Sequence, residues 1–153
     1  MVPPIGRSLS GTICDYVTRS EVSTVLPAAG DGFENDLQPV AISYCDFSAS
    51  PYGTVTVGVK DMGDAPSASG EVHSKYSVMS TGTDQSTSTF TAAGQFAFQI
   101  GSMTPLRNGV NLYAVNAEGS RGSWYVQIQL YSHTPCSKGA MQHLLEAVLG
   151  NVG

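Results

Sequence analysis

A chain of 153 residues is the size of one domain and is long enough to bury a core without metal or disulfide staples. Only 12% of its residues are charged, the formal net charge is -5 and no basic run occurs, which argues against a nucleic-acid partner gripped through its phosphates. No stretch is apolar for long enough to insert in a membrane as a helix, and the start MVPPIGRSLS lacks the apolar centre of a signal peptide.

Residues 1–10 read as a Pro-stiffened linker or hinge, since Pro3 and Pro4 hold the backbone extended. TICDYV (12–17) and EVSTVL (21–26) are short strand candidates, and PAAGDGFENDLQP (27–39) is a polar loop between prolines. VAISYCDF (40–47) and TVTVGVK (54–60) alternate apolar and polar residues around the turn SASPYG, as antiparallel neighbours do. A second polar loop, DMGDAPSASG (61–70), precedes a strand expected over EVHSKYSVM (71–79). The polar tract STGTDQSTS (80–88) follows, as a surface crossing or an exposed edge ribbon.

QFAFQI (95–100) restores the strand period, Asn108-Gly109 is a tight-turn pair, and VNLYAVN (110–116) leads through the turn AEGSRG (117–122) into SWYVQIQLY (123–131). This last strand has the cleanest pattern and is taken as the central one. Trp124, Val126, Ile128 and Leu130 point to the core, and Tyr125, Gln127, Gln129 and Tyr131 to a solvated or partner-facing surface. Ser137 caps a helix in which Met141, Leu144, Leu145, Val148 and Leu149 form one apolar stripe, with Gly150 as its stop. The expected fold is all-β, an antiparallel β-sandwich or jelly-roll-like domain over 11–136, followed by one C-terminal amphipathic helix over 137–150.

Three widely spaced cysteines, Cys14, Cys45 and Cys136, read as free thiols and favour synthesis in a reducing compartment; no Asn-x-Ser/Thr sequon occurs. With His133 they lack the paired spacing of a zinc site. Asp31, Glu34 and Asp36 in the first polar loop supply oxygens that would suit calcium or simply turn the chain. No other cofactor is expected. No GxSxG occurs, and a hydrolase would need a pocket joining Asp15 or Asp46 to a histidine, so no catalytic residue is assigned. The functional clue is aromatic. Tyr52, Tyr113, Tyr125 and Tyr131, flanked by Gln127 and Gln129, combine apolar ring area with hydrogen-bonding groups and would suit a sugar or a protein surface.

The lead-in VPPIGRSLS, the Ser/Thr/Gly-rich strands TVTVGVK and STSTFTAAG, and the closing hairpin NLYAV…GSWYVQIQLYSHTP resemble the protruding domain of capsid proteins from small non-enveloped RNA viruses, such as nodaviruses, tombusviruses and related insect viruses. The resemblance implies a non-catalytic structural and recognition domain, made in the host cytoplasm and displayed on the virion surface. It also implies self-association as a dimer or trimer, and loops that attach to a host receptor or glycan. The alternative expectation is a carbohydrate-binding or adhesin β-sandwich module, cellular or phage-borne.

Overall fold

The computed structural model describes residues 13–27, 29–37, 42–49 and 53–152, with 33–37 and 42 described by backbone alone. The expected lead-in 1–10 and Tyr52 lie outside these residues.

The chain opens with a 3-10 turn, Ile13–Asp15, and a short helix α1, Arg19–Val22, where strands were expected. Thr18 and Glu21 explain the difference. The Thr18 hydroxyl accepts from the Glu21 amide at 3.1 Å, and the Glu21 carboxylate accepts from the Thr18 amide at 2.8 Å. This reciprocal capping box starts a helix and is incompatible with an extended chain. The next expectation, a loop over 27–39, is also corrected: Phe33–Leu37 is strand β1, paired antiparallel with β2, Ile42–Ser48.

Strand β3, Gly53–Asp61, follows β2 as an antiparallel neighbour, as the alternation predicts. The loop expected over 61–70 and the strand expected over 71–79 are both corrected: from residue 65 they form helix α2, Ala65–Met79. Asp64 accepts from the Ser67 amide at 2.7 Å, and Pro66 sits in the first turn, where a missing amide hydrogen costs nothing. Buried Ala68 and Val72 then recur four residues apart.

Four strands complete the chain as a meander: β4 (Gln85–Ala92), β5 (Gln95–Pro105), β6 (Asn111–Arg121) and β7 (Trp124–Ser132). The polar tract thus runs into an edge strand, and the turn expected over 117–122 is overturned: 117–121 belong to β6, and the chain reverses at Gly122 and Ser123. Ala93 and Gly94, both with positive φ, close the β4–β5 hairpin as a two-residue turn.

The described strands form one antiparallel sheet in the order β1-β2-β3-β7-β6-β5-β4, with β7 at its centre. The mostly β, antiparallel fold closed by an amphipathic C-terminal helix is as expected. Its layering is sandwich-like, and among the described residues the layers beside the sheet are helical. Helix α2 crosses one face over β5, β6 and β7 on its way from β3 to the far edge. Helix α3, Lys138–Val152, lies on the other face against β6 and β7.

Ser137 Oγ accepts from the Ala140 amide at 3.2 Å, the cap expected of it. Gly150 does not stop the helix, which runs on to Val152. Arg121 donates to the carbonyls of Leu149 and Gly150, both at 3.2 Å, and so satisfies the helix's open end. Met141, Leu144, Leu145, Val148 and Leu149 are buried against Val57, Val126, Ile128 and Leu130, and Trp124 is in the same core. Gly119 makes the close approach possible, since a Cβ there would stand 3.2 Å from Leu149 and 3.3 Å from Leu145.

The expectation of three free thiols is overturned by a Cys14–Cys45 disulfide, which ties the first turn to β2 across 31 residues. Closing a loop of that size removes unfolded-state entropy equivalent to about 3–4 kcal/mol. Disulfides persist in oxidising compartments, so the bond marks a chain that works outside the reducing cytosol rather than within it.

Candidate ligand cleft

The four tyrosines of the sequence reading do not make one surface. Tyr125, Gln127 and Tyr131 share the α2 face of β7, but Tyr125 is 3% exposed beneath α2 and Tyr131 is 40% exposed beyond it. Tyr113 pairs with Ser132 and therefore belongs to the α3 face. Tyr52 is outside the described residues. Asp31 lies beside Arg19, 3.7 Å from its guanidinium. Glu34 and Asp36 are in β1 opposite Cys45 and Ser43. Among the described residues no group of three or more His, Cys, Asp or Glu side chains is placed to hold a metal ion.

Under α2 the sheet carries a buried polar chain. Glu118 is fully buried, and its carboxylate accepts from the Tyr125 hydroxyl and from Asn116 Nδ2, the latter at 2.7 Å. Asn116 Oδ1 accepts in turn from Gln127 Nε2 at 3.4 Å. Burial pushes the Glu118 carboxyl above its ordinary pKa, with its hydrogen bonds and Lys75 pulling the other way. Burial and the neighbouring carboxylate together raise Tyr125, which stays a donor. Two small hollows flank this chain. One, of about 180 Å³, lies among Tyr44, Lys60, Glu71, Lys75 and Gln127. The other, of about 190 Å³, lies among Met79, Gln85, Asn116, Gln129 and Tyr131.

A larger cleft of about 410 Å³ opens on the opposite face. It exists because α3 begins only at Lys138, leaving the outer ends of β4, β5 and β6 uncovered. Its floor is low at Gly101, which has no side chain, between Gln99 and Met103 on the same face of β5. Tyr113 and Val115 of β6 and Pro135 and Cys136 before α3 supply the walls, with Ser86 and Ser88 of β4 opposite and Lys138 and Asp84 at the rim. The volume is in the range of small-molecule sites, and such sites combine apolar walls with a few placed polar groups.

Gln99 is that polar group. It is only 8% exposed, and its Oε1 is buried with no hydrogen-bond partner within the protein. An acceptor left in that state costs roughly 1–3 kcal/mol, a cost that a donor reaching it from the cleft would offset. Cys136, the unpaired cysteine, is half-buried in the same wall; its thiol donates to the Ser137 carbonyl at 3.3 Å and is raised in pKa by burial. None of the three hollows has a histidine in its wall. His73 stacks on Phe96 with ring centroids 4.3 Å apart, and His143 is on the outer side of α3.

Sequence reasoning named Tyr113 but missed Gln99, Cys136 and Glu118 as site residues. The signal for Gln99 was present in QFAFQI, where an amide replaces an apolar residue on the face that Ala97 shares with the core.

No family model matches the chain, and no curated protein matches it. Among solved structures it is similar to the extracellular domain of PknH from Mycobacterium tuberculosis, with a TM-score of 0.58 and 11% identity over 90% of this chain and 93% of that one. At that identity the likeness is one of fold: the whole arrangement, rather than a fragment of it, recurs in that domain.

Proposed function

We propose that this is a non-catalytic recognition domain that works outside the cytosol and binds a small, largely apolar ligand in the cleft between β4–β6 and the start of α3. The observation that carries this reading is the unspent acceptor of Gln99 in a cleft whose apolar wall is formed by Met103, Tyr113, Val115 and Pro135, with serines of β4 opposite. The disulfide supports the location. Display on a virus particle would be one setting for such a surface, and the sequence resemblance supports it; the fold likeness is to a bacterial extracellular domain.

The test is titration with an environment-sensitive apolar dye, mapped by backbone NMR shifts. Saturable binding that moves the amides of Gln99, Met103 and Val115, and that weakens at least tenfold in Val115→Asp, is the expected result. Shifts confined to the α2 face would reject the cleft.

A second reading, that of a glycan-binding module, is favoured by the hollow beside Tyr131. There a 40% exposed ring adjoins the amides of Gln129, Gln85 and Asn116. It requires that sugar-induced shifts cluster at these residues and vanish in Tyr131→Ala.

A further inference from the structure

The cleft holds a nucleophile that simple recognition does not use. Cys136 is a half-buried thiol with no disulfide partner within a domain whose other two cysteines are joined to each other. Beside it are the unpartnered Oε1 of Gln99, the ring of Tyr113 and the ammonium of Lys138, all lining the same 410 Å³ of space. A molecule attached to the sulfur would lie along that wall.

We propose that Cys136 is a modification site that forms a mixed disulfide with a low-molecular-weight thiol bearing amide N–H donors and a carboxylate. The inference rests on the cleft being the recognition site. The Cys136 thiolate attacks one sulfur of a small disulfide R–S–S–R; that bond breaks, the Cys136–S–S–R bond forms, and the leaving R–S⁻ takes up the proton that Cys136 released. The small disulfide is itself the two-electron oxidant, so no further reagent is needed. An amide N–H of the attached group donates to Gln99 Oε1, its carbon chain rests on Tyr113 and Val115, and its carboxylate sits toward Lys138. Because burial raises the thiol's pKa, adduct formation accelerates as pH rises toward that value.

The experiment treats the full, disulfide-containing chain with oxidised glutathione or with cystamine, which lacks amides and carboxylates, and follows intact mass and peptide maps with time. One glutathione on Cys136, none on Cys136→Ser, and a glutathione rate reduced roughly three- to tenfold in Gln99→Leu with the cystamine rate unchanged, is the expected result. Equal effects of Gln99→Leu on both reagents, absence of the adduct, or a disulfide between two copies of the chain through Cys136 would overturn the inference. Dye binding to Cys136→Ser separates the two readings. Dye binding that persists in an otherwise folded Cys136→Ser and weakens in Val115→Asp, with no adduct on the wild-type chain, removes only the modification site; a wild-type chain that neither binds the dye nor forms the adduct removes the cleft as well.

Discussion

On the α3 face, Val57, Val126, Ile128 and Leu130 meet Leu144, Leu145, Val148 and Leu149 with Gly119 letting the helix down onto the sheet. On the α2 face the centre of contact is a carboxylate, Glu118, held by Tyr125 and Asn116, with only Ala68, Val72, Phe98 and Ile100 as its buried apolar surround. The first contact is stabilised by area and shape, which tolerate no gap. The second depends on complete pairing of a few polar atoms, because a buried charge with a missing partner is more costly than a missing methyl group.

That difference sets the order of expected effects. Leu145→Ala on the α3 face should cost about 3 kcal/mol through the cavity it leaves, read as a lower denaturation midpoint with unchanged denaturant slope. Tyr125→Phe should cost about 2 kcal/mol, although it removes one oxygen and almost no volume, because Glu118 then loses a donor. A loss in Tyr125→Phe smaller than that of an exposed substitution such as Val78→Ala would show that the polar chain contributes nothing.

The same carboxyl gives a pH signature. Its folded-state pKa is raised above the unfolded value, so its stabilising contribution is complete below the unfolded carboxyl pKa and is lost as pH rises through the raised folded value. Denaturation measured across that window should show wild type losing stability relative to Glu118→Gln as pH increases, with the α3 face indifferent. The smallest effect is opposite in sign. Gln99→Leu removes an unpartnered buried acceptor and should stabilise the fold by about 1 kcal/mol while weakening whatever the cleft holds, a trade expected of residues kept for binding.

The parts of the fold that were legible in the sequence are those on the apolar side of this comparison. β3, β7 and α3 carry unbroken periods because every inward residue meets another apolar residue, and their edges fall within one or two positions of expectation. α2 was misread as a strand because its buried stripe is only Ala68, Val72 and partly buried neighbours, set among serines and Gly70. Its cap at Asp64 with Pro66 in the first turn, and the Thr18/Glu21 box before α1, were the local signals that outweighed alternation. The disulfide was not legible, since 31 residues of separation reveal nothing about proximity until β2 and the first turn are packed. The site was half legible: aromatic content could be seen, whereas division of the tyrosines between two faces needed the β6–β7 register.

The reversal at Ala93 and Gly94 has a consequence at the far end of its strands. Both residues are held left-handed, a conformation that glycine takes freely and alanine resists, so the bend admits few alternative lengths. It sets Ser88 across from Gln99 and Ser86 across from Gly101. Sliding the edge strand by a single residue would replace those serines with Gln85, Thr87 or Thr89 from its other face. A two-residue corner some distance from the opening therefore decides which atoms a visiting molecule would meet there.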